Sequence, residues 1–112
     1  MSTTEAPLDV TDALLSASSG DVVLVDCLTL WLYNLMHHER NVETESARMC
    51  ETISAMSVPV ILVSNEVGLG LVPETPLGRV FRDEQARLNQ AMAEVCDRVE
   101  FIAPGLPITL KD

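Results

Sequence analysis

The chain reads as one α/β domain, with helices layered on a mainly parallel sheet. Helical apolar spacing alternates along it with short β-branched runs, the order that lays crossover helices over parallel strands. The two clearest runs, DVVLVDCL (residues 21–28) and VPVILV (58–63), are apolar at successive positions. Strands of that kind expect cover on both faces. A length of 112 residues allows a single domain with a modest core.

Taken in order, residues 1–8 form an extended, poorly anchored lead-in. Asp9 or Thr11 can cap a short helix over residues 10–18, where Val10, Ala13, Leu14 and Ala17 keep helical spacing. Ser18, Ser19 and Gly20 end it, and the first strand follows. Thr29 to His38 (TLWLYNLMHH) is a helix too rich in Leu and Met for an exposed surface. Residues 39–45 are polar and loop-like. Residues 43–56 form an amphipathic helix, with Met49, Ile53 and Met56 spaced by four and three. The second strand carries Pro59 near its start, where a missing donor costs least. A loop from Asn65 to Pro76 leads into a helix that begins near Leu77 or Arg82 and ends at Val95 or Cys96. VEFIAPG is a short last strand, and LPITL offers one more.

Composition narrows the function classes. Hydrophobic residues make up 47% of the chain, and the mean hydropathy is +0.22, so the chain folds. A formal net charge of -10 argues against a nucleic-acid binder with its basic face. One nucleotide remains admissible, because it needs only a local cluster of cations and backbone N–H groups. Cys27, Cys50 and Cys96 are odd in number and form no Cys-x-x-Cys pair, which suits reduced thiols in a cytoplasmic protein. No apolar run approaches the roughly 18 residues of a membrane span. MSTTEAPLDV has neither the basic start nor the apolar core of a signal peptide.

In open α/β sheets ligands sit beyond the carboxyl ends of the strands. At the first such end, an apolar strand stops at Asp26 with Thr29 close behind. A carboxylate there can hold a hydrated Mg²⁺, or either residue can cap the next helix; both readings stand. At the second, VILVSNEVGLG, Asn65 and Glu66 can meet ligand oxygens or a metal. Gly68 and Gly70 can let backbone N–H groups approach a phosphate, or can simply turn the chain. Arg79, Arg82 and Arg87 follow, as phosphate cations or as a solvated face paired with Asp83 and Glu84. His37 and His38 point about 100° apart on a helix, so they read as structural. No Gly-x4-Gly-Lys-Ser/Thr loop is present, and the one lysine is Lys111. Neither a GxSxG elbow nor an HExxH helix occurs.

The stretches VVLVDCLTLWLYNLM and SNEVGLGLVPETPLGRVFRDEQARLNQ (residues 64–90), with the lead-in TTEAPLDV, resemble the bifunctional adenosylcobinamide kinase / adenosylcobinamide-phosphate guanylyltransferases of cobalamin biosynthesis. The likeness covers nearly all of this chain but only the C-terminal two-thirds or so of a family member. It implies a RecA-like P-loop fold using GTP, ATP and Mg²⁺. Such enzymes phosphorylate adenosylcobinamide. They then move GMP from GTP onto adenosylcobinamide phosphate through a guanylyl-histidine. By the same resemblance Glu5 and Asp26 fall on GTP-contacting positions, and the intact enzyme is a cytoplasmic homo-oligomer. The family's first strand, phosphate loop and guanylylated histidine have no counterpart in these residues, and Met1 lands where the family has a tryptophan. The expectation is therefore a partial nucleotide-binding domain over residues 1–112, inactive alone; the alternative is a non-catalytic module that associates with another chain.

Overall fold

The computed structural model describes residues 2–67 and 71–112. In order run α1 (Val10–Leu14), β1 (Val23–Asp26), α2 (Leu28–His37), α3 (Val42–Ala55), β2 (Val60–Val63), α4 (Pro76–Val95), β3 (Val99–Ile102) and β4 (Pro107–Lys111). β1 and β2 pair in parallel, with Val23 opposite Val60 and Asp26 opposite Val63. The class is α/β, as expected. The last two apolar runs, however, do not extend the parallel sheet: β3 and β4 form a separate antiparallel pair. The reason lies in the connection. Ala103 N–H donates to Leu106 C=O at 2.9 Å around Gly105, whose φ of 80° suits glycine. So short a turn reverses the chain, whereas a parallel partner needs a crossover of a dozen or more residues.

The core is built by α2, α3 and α4 against one face of the parallel pair. Leu28, Trp31, Leu32 and Leu35 of α2 meet Met49 of α3 and Leu88 and Met92 of α4, with Val25 of β1 and Leu14 of α1. Alternate strand residues point to opposite faces. Val23, Val60 and Leu62 therefore pack on this core, while Leu24, Ile61 and Val63 remain 60%, 54% and 40% exposed. The expected two-sided cover is thus corrected: among the described residues only one face is covered.

Local chemistry sets the element ends. α1 stops at Leu14 rather than Ser18, because Ser16 and Ala17 make i to i−3 bonds to Ala13 and Leu14 and the helical ladder lapses. Asp9 occupies the cap position without a side-chain capping bond. Asn41 caps α3, its Oδ1 accepting from Thr44 N–H at 2.9 Å. α4 starts with Thr75 accepting from Gly78 N–H at 3.0 Å and with Pro76 just inside. The lead-in is anchored after all, since Trp31 Nε1–H donates to Leu8 C=O at 2.9 Å and Asn34 Nδ2 to Pro7 C=O at 3.1 Å. Arg48 of α3 is ion-paired with Asp12 of α1. At the far end, the Lys111 ammonium donates to the Ala93 and Glu94 carbonyls at 2.9 and 3.0 Å, closing the last turn of α4. Among the described residues no helix is long and apolar enough to cross a membrane.

Candidate nucleotide-side edge of the parallel pair

Asp26 and Val63 are the last residues of their strands and stand opposite each other. The chain therefore emerges from both strands at one edge, followed there by Cys27–Thr29 and by Ser64–Glu66. A bond joins the two exits: Asn65 N–H donates to Thr29 Oγ at 3.0 Å. The capping alternative for Asp26 and Thr29 falls. Cys27 occupies the N-cap of α2, no side chain caps that helix, and the Thr29 hydroxyl is taken up by Asn65. The first N–H groups of α2 thus meet the edge without a side-chain acceptor, at the positive end of the helix. Asp26 is exposed, and no hydrogen bond or ion pair among the described residues engages its carboxylate.

A second tier of polar groups comes from α4. Gln85 and Asn89, four residues apart, share one side of the helix. Asn89 Oδ1 accepts from the Ser64 hydroxyl at 2.6 Å and from Gln85 Nε2 at 3.0 Å. Asn89 Nδ2 donates to Asn65 C=O at 3.0 Å, and Gln85 Nε2 also reaches Ser64 Oγ at 3.1 Å. Gln85 is fully buried. The sequence reading missed both amides. One signal was there to find: Gln85 continues the inner stripe of Leu88 and Met92, and a polar residue on a core-facing stripe is the informative kind.

The remaining candidates separate. Glu66 follows Asn65 and is exposed. Gly68 and Gly70 lie outside the described residues. Arg79 donates from Nη1 to the Pro73 and Glu74 carbonyls, both at 3.2 Å, and so ties the turn that precedes its own helix. Arg82 is half-buried and lies three residues before Gln85, on its side of α4. Arg87 is ion-paired with Glu84 at 2.7 Å on an exposed face, the solvated alternative. Glu5 is exposed, and no hydrogen bond or ion pair among the described residues ties it to this edge. His37 stacks on Tyr33, and the His38 Nδ1–H donates to Asn34 C=O at 2.9 Å. Both stand at the far end of α2, about 14 Å along its axis from Leu28.

Among the described residues no three His, Cys, Asp or Glu side chains converge as a metal cage. A lone carboxylate such as Asp26 still fits the kind of Mg²⁺ that keeps its waters and takes further oxygens from phosphates. An open groove of about 530 Å³ lies elsewhere, between α3 and α4, lined by Val42, Cys50, Glu84, Arg87 and Leu88 among others. Its Arg87 is ion-paired with Glu84, and burial pushes the Cys50 thiol up, away from the reactive thiolate. The strand edge, with its open carboxylate and uncapped helix, has the better chemistry.

A family model described as cobinamide kinase / cobinamide phosphate guanyltransferase matches residues 1–110. A Pseudomonas aeruginosa protein named bifunctional adenosylcobalamin biosynthesis protein CobP is 45% identical over 112 residues, an overlap of 97% of this chain and 65% of the relative. A Salmonella typhimurium protein named bifunctional adenosylcobalamin biosynthesis protein CobU is 31% identical, covering 89% of this chain and 65% of its own length. The Escherichia coli protein of the same name is 30% identical, with 82% and 59% covered. The chain thus spans somewhat less than two thirds of each.

Proposed function

Because the chain belongs to the cobinamide kinase / cobinamide phosphate guanyltransferase family, we propose that the β1–β2 edge is one wall of its nucleoside triphosphate pocket. The observation that carries this reading is the unengaged Asp26 carboxylate at the exit of β1, two residues before the uncapped start of α2. In it Asp26 would hold Mg²⁺, which when bound neutralises triphosphate charge. The N–H groups at the start of α2 donate to phosphate oxygens, and Thr29 and Asn65 keep the two strand exits in register. Arg82, on the same side of α4 as Gln85, adds positive charge near that wall, and Arg79 keeps the incoming turn in place. Glu5 is the further GTP contact that the family likeness suggests.

The whole protein, in this proposal, has a RecA-like P-loop fold and works in cobalamin biosynthesis. It phosphorylates adenosylcobinamide with ATP or GTP, then transfers GMP from GTP to adenosylcobinamide phosphate, releasing pyrophosphate. These 112 residues alone turn over neither reaction, because they hold no phosphate loop with its lysine and both histidines stand at the wrong end of α2. Losing a single transition-state donor already costs about 10²–10³ in rate. Two measurements test the proposal. Millimolar Mg·GTP should shift the amide resonances of residues 26–29 and 64–66, and Asp26→Asn should weaken those shifts severalfold. Shifts confined to the α3–α4 groove would move the pocket. Incubation with labelled GTP should leave no acid-labile GMP on the chain, and stoichiometric labelling would overturn the inactivity.

One observation favours a second reading, a non-catalytic module that associates with another chain: the apolar face of Leu24, Ile61 and Val63 is open to water.

A further inference from the structure

We infer that Gln85 and Asn89 are positioning residues, a relay of two amides by which α4 fixes the backbone of Asn65 and with it the geometry of the strand edge. The inference deepens the pocket reading and rests on it for its functional sense.

The bonds admit one consistent set of donors. Gln85 Nε2 donates to Ser64 Oγ and to Asn89 Oδ1; the Ser64 hydroxyl donates to Asn89 Oδ1; Asn89 Nδ2 donates to Asn65 C=O. The peptide groups of Asn65 are thereby gripped from two sides. Its N–H goes to Thr29 on α2, and its C=O receives Asn89 on α4. Two helices that share the core with β1 and β2 thus set the direction in which residue 65 leaves its strand. Nothing in packing asks for an amide at residue 85. Its neighbours on the inner stripe, Leu88 and Met92, are apolar and buried, and an apolar side chain there would avoid the cost of burying a polar group. Gln85 Oε1 even goes without a donor among the described residues, so the side chain is not there for its own satisfaction. A buried network that specifies one local geometry accounts for both facts.

The test is amide hydrogen exchange by NMR on the full 112-residue chain. Gln85→Met keeps the volume and removes the donor; Asn89→Leu removes the contact to Asn65. Each should speed exchange of the Asn65 N–H at least tenfold while the Leu32 and Met49 amides, in the middle of α2 and α3, keep their rates. Unchanged exchange at Asn65, or acceleration in step with Leu32 and Met49, would reduce the pair to ordinary packing and overturn the inference. A variant with its own internal control is Gln85→Glu. Burial raises the introduced carboxyl's pKa, and only its protonated form can donate, its one O–H replacing the amide's bond to Asn89 Oδ1. Protection of Asn65, corrected for intrinsic exchange, should be near wild type at pH 5 and lost by pH 8, with no such step in the wild-type chain. A space-filling role predicts no step, and its absence would also overturn the inference. Mg·GTP titration separates the two levels: failure of wild type to respond counts against the pocket alone, because the exchange measurements decide the relay without nucleotide.

Discussion

Thr11 is 1% exposed, and its hydroxyl finds no partner among the described residues. A group that has lost its water without replacement costs about 1–3 kcal/mol. Thr11→Val keeps the branched shape and removes that group, so stability should rise by about 1 kcal/mol, seen as a higher midpoint in thermal unfolding followed by circular dichroism. A fall would show that the hydroxyl is satisfied in solution. Residues with chemistry were unequally legible at this scale. Asp26 and Thr29 stand out in the sequence because polar groups end an apolar strand, and only the fold removes the capping alternative, by placing Cys27 at the cap. The three arginines look alike in the sequence; neighbours in space divide them into a turn tie, a flank residue and a solvated pair. Gln85 and Asn89 stayed hidden because a helical amide is ordinarily a surface residue, and what engages them is the chain leaving β2 at Ser64 and Asn65.

Among the elements, α4 holds the sharpest constraint. A Cβ added to Gly78 would stand 2.9 Å from Pro73 Cβ and 2.9 Å from Thr75 Oγ, the atom that caps the helix. Alanine favours a helix over glycine by about 1 kcal/mol, so an open site would gain from Gly78→Ala. Here overpacking of about 1–3 kcal/mol and a weakened cap of about 1 kcal/mol win. Gly78→Ala should lower the urea midpoint by the equivalent of about 1 kcal/mol or more; a rise would mean that the Pro73 turn yields freely. Helices were legible here from periodicity, whereas the caps Asn41 and Thr75 stayed inside stretches read as loops. Strand pairing was not, because an apolar run states that it wants a partner without saying which. The tight turn at Gly105 chose an antiparallel neighbour for β3, and that choice depends on the distance between runs rather than on their content.

For the molecule as a whole, the uncovered strand face decides behaviour in solution. Leu24, Ile61 and Val63 form an apolar patch, and among the described residues β1 and β2 are each paired on one side only. The chain should therefore elute at larger apparent size as its concentration rises. Added salt should strengthen the effect by screening the mutual repulsion of chains carrying a net charge of -10. Leu24→Lys with Ile61→Lys should abolish the shift while leaving thermal unfolding nearly unchanged, since neither side chain belongs to the core. Elution as a compact monomer at every concentration would show that this face tolerates water. The run of apolar residues was legible in both strands, but what lies over the outer face was not, because hydrophobicity names the need and not the occupant. The chain's single lysine, seated on the end of α4 by the last residue of the hairpin, carries a practical corollary. An amine-directed dye has one side-chain target in these 112 residues, and the speed of its coupling there reads out how often the tail of the fold lifts away.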